Sequence, residues 1–407
     1  MNVFDEGSDS RSVLLPVVQT DRQSLGQAGV LREASKPIDI EDGRRRLWRH
    51  PFVPVLGIYL ALRVALFLCN VLAATITRAR DWLVPFTAWD GHWYTQVAQS
   101  WYGATALSAE HLTYAAGGFE PGWPALIKFG TAFGLTYAAS AYVMSIFVGA
   151  ASVYMIWKLS VELLPEHSQV ATAAVLAFPG AAVAFGIAYS EVLSVGCVAA
   201  TLVLLLRKRW VLAGLAATVA TATSSLAIVL TLVCLVEAFI AVARNRDYRS
   251  LWAAIISPLG FLGFVAYLGY LAKDPFYWWK LQGQAWGAKI DVSYIFHWVA
   301  SFKGTGWGVY WMAALGLLVL VYLIVTVIRS SFPVSVKIYC VAIAAMVLIN
   351  PALGPKPRFL FWIFPAILLL RSDLESRVFN LVVIAMAWLL PILLIAYTTI
   401  GNTVAQP

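Results

Sequence analysis

Six consecutive residues, Trp89-Asp90-Gly91-His92-Trp93-Tyr94, set a carboxylate among large aromatic rings. A carboxylate so placed can act as a general base, drawing a proton from a hydroxyl. It can also simply cap a helix, because an acid at a helix start satisfies orphan N–H groups and suits the dipole. Downstream, Gly118-Phe119-Glu120-Pro121-Gly122-Trp123-Pro124 carries a second carboxylate, Glu120. It reads as an acid or base, as a group that orients a substrate, or as a solvated loop charge. Glu191 opens an apolar run, where a carboxylate must face protein, water or a partner. Lys356 and Arg358 share a proline-stiffened turn, Gly354-Pro355-Lys356-Pro357-Arg358. There they either snorkel as membrane anchors or hold a phosphate through charge-assisted hydrogen bonds, Arg358 in bidentate fashion. His297, between Phe296 and Trp298, is an interfacial packing residue or a lesser catalytic candidate. Arg63, midway along an apolar run, is costly unless it lines a wet cavity.

The elements that must position these groups are membrane helices. The chain has 407 residues, of which 60% are hydrophobic and 12% charged, a balance that soluble domains do not show. The net charge of +8 does not signal nucleic-acid binding, since no basic and aromatic patch lies outside the apolar runs. Instead the basic residues cluster in short segments: Arg44 to Arg49, Arg207 to Arg209, Arg244 to Arg249, Arg329 to Lys337 and Arg371 to Arg377. These hold fourteen Lys and Arg against eight in the opposite-side segments (Arg78, Arg80, Lys273, Lys280, Lys289, Lys303, Lys356 and Arg358), which orients the N-terminus to the cytoplasm and the Asp90 loop to the opposite face.

Residues 1–47 are expected to form a disordered cytoplasmic tail with no apolar signal region, and residues 48–401 a transmembrane domain. The apolar runs predict about eleven spans. Among them, 170–206 and 210–243 read as hairpins of short, tilted or broken passes, and 358–371 as a short span. Two long extracytoplasmic segments, 77–120 and 273–306, carry helices expected to lie along the interface. In the first, Trp93, Tyr94, Val97 and Trp101 share one helical face, with His92, Gln96 and Gln99 opposite. The four cysteines, Cys69, Cys197, Cys234 and Cys340, all fall inside apolar runs and read as small packing residues.

Trp89-Asp90-Gly91 on the first outer loop, followed by the Phe119 to Pro124 element, resembles the PIG-V family of GT-C glycosyltransferases. Three further stretches are similar to that family in consistent order across residues 50–370. They are Phe178-Pro179-Gly180 through Tyr189-Ser190-Glu191, Arg207-Lys208-Arg209-Trp210 with Ala213-Gly214, and Gly354 to Phe359 with Phe364-Pro365. The resemblance implies an all-α polytopic membrane protein with a GT-C-like fold. It implies a mannosyltransferase that takes its sugar from a polyprenyl-phosphate donor. Asp90 would be the catalytic base, and Trp89, Gly91, His92, Glu120, Glu191, Lys356, Arg358 and His297 would contact substrate. Two departures stand out. Glu120 occupies a position where the family pattern has a second aromatic, and Thr223-Ser224-Ser225 lacks an expected arginine. The resemblance therefore does not carry over a GPI precursor as acceptor.

No nucleotide-binding glycine loop, HExxH or DxD is present. A lipid monophosphate leaving group can be held by Lys or Arg alone, so no cofactor or divalent metal is expected. The expected partners are a polyprenyl-phosphate sugar, a membrane-associated glycan or glycolipid acceptor, and the bilayer, with no nucleic acid. Arg outnumbers Lys 19 to 10, as in a GC-rich bacterium, which places the chain in the plasma membrane with its active site extracytoplasmic. In a eukaryote the same topology corresponds to the endoplasmic reticulum. Broken spans and membrane carboxylates also suit a transporter or lipid flippase, though no internal repeat accompanies them. A non-catalytic scaffold descended from such an enzyme is the third reading.

Overall fold

The computed structural model describes residues 50–102, 116–293, 307–350 and 352–399. The expected tail, the middle of the first outer loop and the end of the second, with His297, lie outside the described residues. Every regular element among the described residues is helical. That follows from an apolar chain in lipid, where each backbone N–H and C=O must be paired within its own segment.

The first helix, α1 (Val53–Thr77), begins with proline in its first turn, where a missing N–H costs nothing. It stops at Arg78, in the left-handed conformation with φ 52°. One stripe, Val55, Tyr59, Arg63, Leu66, Asn70 and Ala73, is buried at helical spacing. Ile58, Val64, Leu68, Leu72 and Ile76 stand exposed on the other side, a lipid-facing surface. Arg63 therefore points into protein, not into a wet cavity. Its guanidinium donates to the Phe185 carbonyl and to Ser145 Oγ at 2.7 Å, and sits 5.2 Å from the Tyr142 ring.

After α1 come α2 (Asp90–Ser100), α3 (Gly122–Thr131), α4 (Tyr137–Leu163), α5 (Ser168–Ala177), α6 (Glu191–Leu206), α7 (Trp210–Thr221) and α8 (Val229–Asn245). They are followed by α9 (Leu259–Ala272), α10 (Tyr277–Trp286), α11 (Trp307–Arg329), α12 (Val334–Ile349) and α13 (Ser376–Thr399). Among the described residues, five segments are long and apolar enough to cross a membrane: Val53–Thr77, Tyr137–Leu163, Ser225–Asn245, Tyr248–Ala272 and Ser376–Thr399. Four shorter apolar helices, Glu191–Leu206, Trp210–Thr221, Ala314–Arg329 and Val334–Ile349, accompany them.

Both expected hairpins are interrupted. The first breaks between α5 and α6, around the short helix Ala181–Gly186, and the second at Ala222 to Ser224, between α7 and the turn that opens α8. The stretch expected to span the membrane at 358–371 instead forms three short turns, Pro357–Phe361, Phe364–Ile367 and Leu370–Asp373. Pro365 cannot donate a backbone hydrogen bond, and Phe359 through Leu370 are almost entirely buried among other helices. Irregular backbone is tolerated at that depth because protein, not lipid, surrounds it.

Small residues let the helices cross closely. Gly196 of α6 lies against Ser152 of α4, whose hydroxyl donates to the Val192 carbonyl at 2.5 Å. Gly260 of α9 lies against the Thr218 carbonyl of α7, and the Thr218 hydroxyl donates to Ile256 O at 2.6 Å. These contacts hold α6 against α4 and α9 against α7.

Candidate active site

Asp90 starts α2, but not as its cap. The N-cap position is Trp89, at φ 56° and ψ −128°, and no side chain caps the helix. A bulky residue at positive φ is strained, and such strain is kept where the surroundings over-determine it. Here the Trp89 indole N–H is tied to the Tyr397 carbonyl of α13 at 2.7 Å, and the Asp90 backbone N–H donates to the Tyr189 hydroxyl at 3.2 Å. The carboxylate is thus released from capping and turned toward Arg358.

Arg358 is the centre of the arrangement. Its Nη1 donates to Asp90 Oδ2 at 2.6 Å, and its Nε donates to Glu191 Oε1. The guanidinium lies 4.4 Å from the Tyr189 ring centroid, so an aromatic face floors the ion pairs. Side-chain exposure is 13% for Arg358, 27% for Asp90 and 2% for Glu191. Glu191 opens α6, where the helix dipole favours a negative charge. Its second oxygen, Oε2, is buried without a hydrogen-bond partner.

The loops that carry these groups are locked to one another. Gly180 packs so closely on the Pro357 turn that a Cβ would overlap the Pro357 carbonyl and stand 2.5 Å from Phe361 Cβ. Gly91 faces Ala188, with space for a Cβ only at 3.3 Å from the Ala188 Cβ, and Ala188 N–H donates to Phe86 O at 2.8 Å. The Trp123 indole donates to Ala188 O at 3.1 Å, and Tyr94 OH shares a hydrogen bond of 2.7 Å with Ser190 Oγ.

A cavity of about 470 Å³ opens beside Arg358. Trp89, Asp90, Glu120, Glu191, Lys356 and Arg358 all line it, brought together from four separate stretches of sequence. Gly91 and His92, expected as substrate contacts, do not. Gly91 is a packing glycine, and His92 is exposed on the outer face of α2, its ring 5.9 Å from that of Trp93. The helical register explains this: with Tyr94, Val97 and Ala98 turned inward, position 92 must point out. Gln96 and Gln99 share that outward face.

Lys356 is half-buried and makes no ion pair among the described residues; its Nζ lies 6.0 Å from the Phe359 ring centroid. Burial, aided by the Arg358 charge, lowers its pKa to about 8. Glu120 is 4% exposed, and burial raises its carboxyl to about 7, with hydrogen bonds from Ser225 opposing and the Glu191 charge adding to the rise. Its Oε1 has no hydrogen-bond partner.

The remaining wall was not singled out from the sequence as a site. It comes from α10 with Trp278, Gln282 and Trp286, and from Ser224 and Ser225. The aromatic, interfacial character of 276–279 marked α10 as an element. Only its docking turns it into a wall: Gln282 Nε2 donates to Gly118 O at 3.1 Å, and the Trp286 ring meets Phe119 edge-on at 5.5 Å. Among the described residues no group of three or more His, Cys, Asp or Glu side chains is placed to hold a metal ion.

No family model matches this sequence, and no curated protein does. Among solved structures the chain is similar to the crystal structure of ArnT from Cupriavidus metallidurans bound to undecaprenyl phosphate. The TM-score is 0.55 at 15% identity, over 88% of this chain and 67% of that one. A second similarity is to the archaeal oligosaccharyltransferase AglB from Archaeoglobus fulgidus, in complex with an inhibitory peptide and a dolichol-phosphate. There the TM-score is 0.43 at 12% identity, over 83% of this chain and 55% of that one. The likeness to ArnT is one of fold.

Proposed function

We propose that this chain is an integral membrane glycosyltransferase that moves a sugar, mannose, from a polyprenyl-phosphate donor to a lipid- or glycan-linked acceptor on the extracytoplasmic face, with inversion. The observation that carries the reading is the convergence of Asp90 and Glu191 on Arg358 beside Lys356, in the wall of one cavity. The ArnT structure, whose fold this chain shares, holds undecaprenyl phosphate. The fold likeness does not favour the transporter reading.

In the proposed reaction Lys356, the cation not engaged by a carboxylate, takes the donor phosphate, and the N–H groups of Arg358 left over from Asp90 and Glu191 assist. Asp90 is aimed by Arg358 and keeps part of its carboxylate open to the cavity. It accepts the proton of an acceptor hydroxyl as that oxygen attacks the anomeric carbon. The bond from the anomeric carbon to the phosphate oxygen breaks, and its electron pair leaves with the lipid phosphate. One in-line displacement inverts the anomeric centre, as in single-step inverting glycosidases. Holding donor and acceptor at the same depth of the interface supplies proximity.

The test is the Asp90→Asn variant reconstituted in lipid with a radiolabelled polyprenyl-phosphomannose. Transfer should fall by ~100-fold or more, the scale of a lost general base, while donor binding persists. Turnover at the wild-type rate would overturn the assignment.

A further inference from the structure

The cavity wall divides by chemistry. One group, Asp90, Glu191, Lys356 and Arg358, is ionic and compensates its own charges. The other, Glu120 with Phe119, Trp278, Gln282 and Trp286, combines aromatic rings with an amide and a buried carboxyl. Within this second group two polar atoms are buried without a hydrogen-bond partner among the described residues, Glu120 Oε1 and Trp278 Nε1. Buried polar atoms are rarely left unpaired, and two of them in the wall of one cavity ask for a ligand with a hydrogen-bonding oxygen for each. A lipid chain would leave both unsatisfied. An anionic ligand would meet no cation within this second group, and the Glu191 charge already disfavours a negative charge at Glu120. A pyranose ring offers hydroxyls for the polar atoms and a C–H face for the indoles.

The second group is also built as a unit. Gly118 packs under the Trp286 ring, Gln282 holds the Gly118 carbonyl, and Phe261 meets the Trp278 ring edge-on at 4.9 Å. The Tyr102 hydroxyl, donating to Phe119 O at 2.6 Å, fixes the backbone next to Glu120 from the other side.

We propose that Glu120, Trp278 and Gln282 form the acceptor subsite, and that the acceptor moiety is an uncharged pyranose whose ring lies on the indoles of α10. The neutral Glu120 carboxyl donates to one sugar hydroxyl, and Trp278 Nε1 donates to another. This rests on the glycosyltransferase reading for its meaning, but the binding can be measured without turnover.

The experiment uses the full chain in lipid nanodiscs. Methyl α-mannoside is titrated against intrinsic tryptophan fluorescence, and a mannoside phosphate is titrated as the anionic control. Wild type should give a saturable change with the neutral glycoside and a weaker one with the phosphate. Glu120→Ala and Trp278→Phe, which removes only the indole N–H donor and part of the ring, should each weaken neutral-glycoside binding by ~10-fold. Glu120→Gln, which keeps a donor, should retain most of it. Binding of radiolabelled polyprenyl-phosphomannose should be unchanged in all three. Unaltered glycoside affinity in Glu120→Ala and Trp278→Phe, or tighter binding of the phosphate, overturns the proposal. So does loss of donor binding in step with glycoside binding, which would mark a general structural effect. Because Asp90→Asn tests the reaction and the titration tests the subsite, the failure of one is distinguishable from the failure of the other.

Discussion

A guanidinium held by two carboxylates in a wall that is 2% to 27% exposed is a costly arrangement, and one worth less as a stabiliser than as a positioning device. Arg358→Lys should show this. A compact ammonium cannot bond Asp90 and Glu191 through one rigid fork, so kcat should fall by ~10-fold or more while the donor KM changes less. Arg358→Met leaves two carboxylates uncompensated and should lower the thermal midpoint of the purified protein outright. Lys356 predicts a pH dependence with a definite sign. Its pKa of about 8 means it is protonated below that pH, so donor affinity should be full in neutral solution and decline as pH rises past 8. Lys356→Met should weaken donor binding and flatten the decline. Glu120 acts in the opposite limb. With its carboxyl raised to about 7 it is neutral below that pH, and it faces Glu191 of α6, Tyr94 of α2, Tyr102 and Ser225. The acceptor KM should therefore rise as pH passes upward through 7, and Glu120→Gln should remove the rise. Because the folded pKa lies above the ordinary 4.5, this contribution to stability is full below 4.5 and is lost as pH rises through 7, where the buried group ionises.

Elements position these residues through loops that touch at glycines. The Phe178-Pro179-Gly180 turn and the Pro357 turn are far apart in sequence, and they meet because Gly180 has no Cβ. Gly180→Ala should push the Arg358 turn away from α2, costing both thermal stability and turnover, with the larger loss in turnover. Gly118→Ala acts on a different element. It collides with the Trp286 ring and should displace α10 from the cavity, raising the acceptor KM while leaving donor binding intact. A comparison of the two variants by donor-binding and acceptor-KM measurements separates the ionic wall from the aromatic one.

At the scale of the whole molecule, the bundle exposes apolar faces such as Leu381, Ile384, Trp388 and Ile392 of α13 and buries its polar side chains in helix crossings. We propose that the basic segments orient this bundle with the site on the extracytoplasmic side. The four native cysteines are buried or half-buried, so they should label slowly. His92→Cys, on the exposed face of α2, should then react with an impermeant maleimide added to intact cells, and Arg207→Cys only after permeabilisation. Labelling in the reverse order would invert the topology.

Which parts of this molecule were legible in the chain follows from the range of the forces involved. Apolar runs, basic flanks and the helical spacing of Trp93, Tyr94 and Val97 are local patterns, and they determined an all-helical membrane protein with a surface helix opening at Asp90. The same register placed His92 outward, a consequence available from the spacing once Tyr94 and Val97 are turned inward. Local pattern cannot tell a capping aspartate from one bound to an arginine 268 residues away, and only the closure of Gly180 on Pro357 and of α2 on α6 decided that. The stretch at 358–371 is apolar enough to span, yet tertiary packing buried it as broken turns, because hydropathy does not distinguish lipid from protein interior. The aromatic wall of α10 likewise came from docking. Composition made those indoles interfacial, and their contact with Gly118 and Phe119 made them the side of a cavity.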